Sequence, residues 1–407
     1  MKKIIVIETS DIGCAYTKQA INQMGFEELF LCDLKNYQGD TLKQINQTSY
    51  INTPTNCADE LLKILEDNNI EAKSLAGVIT FLDSRLEVAS DLALKLNVPG
   101  HEKNIFQLKD KSNVMQLVPE HSPLTINFDI NDFDYSDLYK FSDLVDSFII
   151  KPRKMAGGIG VLISDTLPKT DELLNHCKST PIPNFLSPTK WVIQEFIKGD
   201  LVSVEGYIFG DDFRALGISS RTKIKNTECM SQFPIDDQLP LHIVEKAHQA
   251  CKDLLLRSEV KHSYFHIELI FNDEDCFLID GNVGRLGGGG IGELLALSYD
   301  LDPSQVYQHV IELTLFNINH SPYERVSRLS TSICYGIKDI SFVEKINGLD
   351  SLPGFHTQIL DVQQKIPAMG SDNWSWLGIA TGVAPEIVDA LKAVQIQTQQ
   401  GEVSPCF

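Results

Sequence analysis

Glu268, Asp280, Asn282 and Arg285 put three oxygen-bearing side chains and a guanidinium into one short part of the chain. The last three fall in IDGNVGRLGGGG (Ile279–Gly290), where an apolar lead-in, CFLID, meets an acid, an amide, an arginine and four glycines in a row. A core strand has no use for those polar groups, and a flexible linker has no use for the lead-in. Carboxylate and amide oxygens suit a hard cation such as Mg²⁺. A guanidinium is a fixed donor for an oxyanion. Glycines let the backbone approach a ligand closely or turn with positive φ.

The segments YFHIELIF and CFLID read as two strands joined by NDED. With Asp273–Asp275 as a three-residue loop, Asn272 pairs with Cys276 and Glu268 faces Asp280. His266, Glu268, Asp280 and Asn282 then share one face. A two-residue loop would instead set Ile279 opposite Glu268. Facing carboxylates repel unless a divalent cation lies between them, and few, all-oxygen ligands suit Mg²⁺ with substrate phosphates. The competing reading is a pair of solvated acids on an exposed sheet face. Asn282, Arg285 and LGGGG weigh against it.

A cation that holds phosphates calls for other phosphate donors. In IIKPRKMAGGIGV, Lys151 ends an apolar strand, and the following loop carries Arg153, Lys154 and Gly157-Gly158, a candidate anion-binding nest. Walker A spacing is absent. Taken singly, Lys151 reads equally as a solvated strand-end residue, and Lys111, near a helix start, carries less information still.

The elements that must position these groups follow from periodicity. Residues 1–100 alternate apolar runs (IIVI, LFLCD, GVITFLDS) with helix-like segments, the first ending at Gly25. This is the pattern of a doubly wound α/β unit. Its first turn lacks GxGxxG, so no dinucleotide fingerprint is present, and Asp33 reads as a strand-end acid. QLKDKSNVMQLV (Gln107–Val118) reads as a helix capped by Asp110 or Ser112. SFIIKP and GVLISD form a hairpin, KWVIQEFIKG is a strand entering a turn, and residues 241–258 are helical. Residues 325–390 hold strand-like pieces of a small terminal unit.

A chain of 407 residues with 43% hydrophobic and 22% charged residues is an ordinary folded protein of two or three domains. Its net charge of -20 argues against a nucleic-acid partner. No apolar run is long enough to span a membrane, and Ile4–Ile7 is too short for a signal-peptide core. Nine scattered cysteines without CxxC point to reduced thiols in a cytoplasm.

Together these segments resemble the ATP-grasp superfamily, in particular its bacterial L-amino acid (dipeptide) ligases. KDKSNVMQLV resembles the segment whose lysine touches nucleotide phosphates, here Lys111. FIIKPRKMAGGIGV resembles the strand, second lysine and glycine flap, here Lys151, Gly157 and Gly158. VIQEFIKG resembles the adenine hinge. The resemblance implies that backbone groups of Gln194 and Ile197 read the base, with Glu195 and Phe196 lining its slot. HIELIF and LIDGNVGRLGGGG resemble the metal strands and the acyl-phosphate arginine. They imply Glu268, Asp280 and Asn282 on Mg²⁺ (or Mn²⁺), and Arg285 and Lys151 as catalytic groups. Three departures stand out: Asp280 replaces the usual Glu, one extra residue precedes Arg285, and the usual ribose acid falls on Leu201.

The implied fold is a doubly wound pre-ATP-grasp domain (residues 1–104), an ATP-grasp domain (105–317, its flap about 115–190) and a small C-terminal domain (318–407). The implied activity joins an amino acid or related carboxylate to an amine, using ATP and releasing ADP and phosphate. A carboxylase and a non-catalytic ATP-binding regulator are the alternatives. No nucleic-acid or membrane partner is expected, and a homodimer is left open. Substrate choice would fall to side chains around Glu205, Arg214, Arg221 and Lys223. The candidates for general base are His266, His262 and Glu205.

Overall fold

The β-branched run IIVI folds as the strand Lys3–Ile7, with Ile4, Val6 and Ile7 fully buried, as a strand covered on both faces must be. In the computed structural model it lies third in a parallel sheet ordered Tyr50–Asn52, Glu27–Cys32, Lys3–Ile7, Leu75–Ile79. The structure describes residues 1–407 except 11, 133–134, 156–157, 183–187, 226, 327 and 372–374. The first helix, Cys14–Gln23, stops just before Gly25, which takes a φ of +79°. This is the α/β unit expected from the sequence.

A second, antiparallel sheet of eight strands carries the candidate chemistry. Its order is Cys276–Val283, His262–Phe271, Asp200–Phe209, Asp212–Ile224, Thr227–Phe233, Ser330–Tyr335, Gly378–Val383, Phe355–Gln358. The helix Leu241–Arg257 covers one face, packing Ile243, Ala247, Cys251 and Leu254 into a core with Val204, Phe265, Ile267 and Leu269. Strand alternation then turns His266 and Glu268 to the other face. Burying Phe265, Ile267 and Leu269, at ~1.5–3 kcal/mol per side chain, fixes which face carries the acids.

A four-stranded antiparallel sheet, Thr125–Asp129, Lys190–Glu195, Phe148–Pro152, Leu162–Ser164, holds Lys151. The expected hairpin is present, with Phe148 opposite Ser164. A last sheet, Gln364–Ile366, Ser341–Asn347, Gln395–Thr398, Gly401–Val403, lies near the C-terminus. All nine cysteines are free. Among the described residues no helix is long and apolar enough to cross a membrane.

One element differs from expectation. The single helix over Gln107–Val118 is a 3-10 segment Lys103–Lys109 followed by the helix Lys111–Leu117. Asp110 divides them. Its backbone is extended, and its carboxylate accepts from the N–H of Ser112 at 3.0 Å. The same carboxylate takes both arms of Arg153, at 2.9 and 2.7 Å. Asp110, not Ser112, is therefore the cap.

Candidate active site

Glu268 lies directly opposite Asp280, and His266 opposite Asn282. The route to this register is not the one drawn from the sequence. Phe271 pairs with Cys276, leaving Asn272–Asp275 as the turn, tied by Asn272 Oδ1 accepting from the N–H groups of Glu274 and Asp275. Counted outward, that pairing alone would set Ile279 opposite Glu268. A bulge between Glu268 and Leu269 leaves Ile279 unpaired and brings Asp280 across.

These groups face a cavity of about 590 Å³. Lys111, Lys151, Gly158, Glu268, Asp280, Asn282 and Arg285 all line it. Lys111 Nζ donates to the carbonyl of Met155 at 2.7 Å and lies 3.4 Å from Asp280 Oδ2. Lys151 is buried, and burial together with Lys111 pushes its ammonium down to about 8, although Asp280 and Glu268 pull the other way. Asn282 Oδ1 accepts from Arg285 Nη2 at 3.0 Å. Arg285 also donates to the Leu286 carbonyl at 2.9 Å, and its Nε is 3.9 Å from Asp83. Gly157 lies outside the described residues.

The four hinge residues are not brought to this cavity wall. Gln194 is fully buried and donates to Thr125 Oγ1 at 2.8 Å. The N–H groups of Glu195 and Phe196 are bonded to the carbonyls of Leu124 and Ser147, at 2.9 Å each. Ile197 is buried too. The apolar wall is instead Ile149, Val161, Ile163, Leu201, Ile270 and Ile279.

Behind the acids stands a buried charge network. Arg221, on the strand Asp212–Ile224, donates to Glu228 and to Glu268 Oε1, the latter at 3.2 Å, and abuts His266 Nε2. His266 Nδ1 bonds both oxygens of Glu205, at 2.8 and 2.9 Å. Glu205 also accepts from Ser203 and Ser219. Burial works against charge on His266, yet Glu205 outweighs it and holds the ring above its ordinary value. Burial likewise opposes charge on Glu268, but Arg221 and His266 hold its carboxyl well below the usual range. Both shifts favour the ionised forms. His266 is held at both ring nitrogens, by Glu205 and by Arg221, and His262 is absent from the cavity wall. Of the presumed substrate side chains, Arg221 and Lys223 line the cavity, whereas Arg214 pairs with Asp212 on the surface.

Gly287 accounts for part of the glycine run. A Cβ there would stand 2.5 Å from His266 Nδ1. Gly290 takes a φ of +88°, and its Cβ would stand 2.3 Å from Ser332 Oγ. The loop is threaded between His266 and the C-terminal strands. Sequence reading missed the pairing of Arg221 with Glu228 and the acid Glu293, which lines the cavity beyond the loop. An arginine at an interior position of a strand was the available signal for the first, and an acid inside IGELLAL for the second.

Residues 109–289 match the family described as the ATP-grasp domain. This stretch is the chain's ATP-grasp domain. A comparison with curated protein sequences gives no match. Among solved structures, the L-amino acid ligase from Bacillus licheniformis superposes with a TM-score of 0.74 at 16% identity, over 96% of this chain and 95% of that one. Phosphoribosylglycinamide synthetase from Anaerococcus prevotii gives 0.68 at 15%, over 97% and 99%. A biotin carboxylase complex with β,γ-ATP from Campylobacter jejuni gives 0.74 at 13%, over 98% and 92%. At such identities the likeness is one of fold.

Proposed function

We propose that this protein is an ATP-dependent carboxylate–amine ligase, joining amino acids or related acids and amines through an acyl phosphate, with release of ADP and phosphate. The observation that carries this reading is the convergence on one cavity of Lys111, Lys151, the facing acids Glu268 and Asp280, Asn282 and Arg285. We propose residues 1–104, 105–317 and 318–407 as its units, with the nucleotide base on the apolar wall beside Ile149 and Leu201. The hinge Gln194–Ile197 would support that wall from behind.

The donor set fits magnesium. Glu268, Asp280 and Asn282 offer oxygen only, from one sheet face, and the nearby partners of the acids are the side chains Arg221 and Lys111. Bound there, magnesium (or manganese) would neutralise phosphate charge. Lys151 and Lys111 would hold the triphosphate, and Gly158 would let backbone approach it. A substrate carboxylate oxygen attacks the γ-phosphorus, and the bond to the β-phosphate oxygen breaks to release ADP. Arg285, braced by Asn282, would hold the carboxylate and then the oxyanion formed when an amine attacks the acyl carbon. Positioning and charge neutralisation supply most of the acceleration.

The test is incubation with ATP, Mg²⁺ and pairs of L-amino acids, reading phosphate release and the mass of the condensed product. Hydroxylamine in place of the amine should trap the activated acid as a hydroxamate. Pyrophosphate as product would refute the acyl-phosphate route. ADP formation that depends on bicarbonate alone would mark a carboxylase, and ATP binding without turnover would mark a regulator.

A further inference from the structure

Beyond the glycine loop the cavity continues between the N-terminal unit and the helix Ile291–Tyr299. Glu293, in the first turn of that helix, is 1% exposed, and neither carboxyl oxygen accepts a hydrogen bond of ordinary geometry. The Tyr307 hydroxyl is close enough to act on it. Glu293 does not cap the helix Cys14–Gln23, which has no side-chain cap. An unbonded buried acid costs about 1–3 kcal/mol or more, so its place on a cavity wall requires an account. The same cavity is lined by Ile12, Phe81, Trp376 and Ile379, all strongly buried and apolar. Arg285, Lys111 and Lys151 line the same cavity.

We propose that Glu293 receives the amine substrate of the ligase, accepting a proton from its ammonium group while the apolar body of the amine lies against Ile12, Phe81, Trp376 and Ile379. This rests on the ligase reading and adds to it a base and a substrate class, an amino acid or amine with an apolar side chain. The amine must enter as R–NH₃⁺, which has no lone pair. Transfer of one proton to the Glu293 carboxylate leaves R–NH₂. Its nitrogen then bonds to the acyl carbon, the C–O bond to phosphorus breaks, and the phosphate leaves with that electron pair. The second nitrogen proton departs with the phosphate, and Glu293 returns its own proton to solvent.

The environment suits the task. Burial pushes Glu293 up to about 7, so the acid is partly ionised near neutrality and can accept a proton there. The groups facing it are phenols, Tyr16 from the helix Cys14–Gln23 and Tyr307 from the helix Pro303–Ile311, both held protonated by burial. Asp302 acts on Tyr16. From the strands packed on the Glu293 helix come Glu228, neutralised by Arg221, and the thiol of Cys334.

The experiment compares wild type with Glu293→Gln, using ATP, Mg²⁺, one accepted acid, and either leucine or hydroxylamine as nucleophile. Hydroxylamine is already neutral at pH 7 and needs no base. The ratio of amide to hydroxamate should fall about a hundredfold in the variant, the scale of a lost general base. Its amide rate should recover above pH 9, where free amine becomes abundant. Glu293→Asp, which draws the carboxylate back, should show the same split if Glu293→Gln folds poorly. Equal loss with both nucleophiles, an unchanged ratio, or aspartate accepted better than leucine would overturn the assignment. Absence of any hydroxamate from wild type would refute the ligase reading and take this inference with it.

Discussion

Alanine at Gly287 and alanine at Gly288, one residue apart, should have opposite effects. At 287 the new Cβ would stand 2.5 Å from His266 Nδ1, 2.8 Å from His266 Cε1 and 2.8 Å from Ile291 Cγ1. Carbon contacts settle at roughly 3.5–4.0 Å, so the ring would have to retreat by about an ångström. It cannot do so freely, because Nδ1 holds Glu205 at 2.8 and 2.9 Å and Glu205 is held by Ser203 and Ser219. Overpacking of this kind costs about 1–3 kcal/mol, and a broken buried ion pair would carry it toward about 3–5. At 288 nothing lies within 4 Å of the added carbon, and no positive φ is required. There alanine should be neutral or add about 0.4–1 kcal/mol by restricting the unfolded chain. Urea denaturation of the two variants beside wild type, followed by tryptophan fluorescence, reads the difference directly. Alanine at 287 as stable as alanine at 288 would refute the loop packing described here.

Glu268→Gln and Asp280→Asn should each lower turnover by at least about a hundredfold while leaving the fold intact by circular dichroism, and chelation of divalent ions should do the same to wild type. Lys151→Ala should weaken ATP far more than adenosine in calorimetry. Since the Lys151 ammonium sits near 8, its charge is lost as pH rises through that value, so ADP affinity should decline above pH 8 in wild type but not in Lys151→Met. A flat wild-type profile would count against a phosphate contact. His101 is fully buried, its Nε2 accepting from the N–H of Thr80 at 3.1 Å, and burial lowers it to about 4. Below its unfolded value of 6.5 the unfolded chain gains a proton that the native chain refuses. Stability should therefore fall between pH 6.5 and 4, by up to about 3 kcal/mol, and His101→Gln should flatten that slope in urea melts.

The parallel sheet and the hairpin of Glu268 and Asp280 were legible because their side-chain patterns are local: IIVI announces two buried faces, and Phe265, Ile267 and Leu269 announce one. The juxtaposition of Glu268 and Asp280 was read rightly from a loop of the wrong length, since a bulge at Ile279 cancels the difference. No local pattern marks such a bulge. The break at Asp110 was hidden because its cause, Arg153, comes from a distant strand. Arg221 was placed near the substrate, but its hold on Glu228 and Glu268 depends on pairing across the sheet, which spacing along the chain does not encode. Glu293 looked like one more helical acid, and only the packing of Tyr16 and Tyr307 around it reveals its isolation.

The strand Ser330–Tyr335 continues the sheet that begins with the facing acids, joining Thr227–Phe233 with Met230 opposite Ile333. The last ninety or so residues are accordingly no detachable appendage. Cut away near residue 317, they would leave Thr227–Phe233 with a bare row of N–H and C=O groups, an open template for another chain's backbone. A shortened protein should therefore aggregate rather than fold as a smaller unit. The fifth strand of the sheet would seek partners between molecules, and the solubility of the chain depends on its own last strands arriving first.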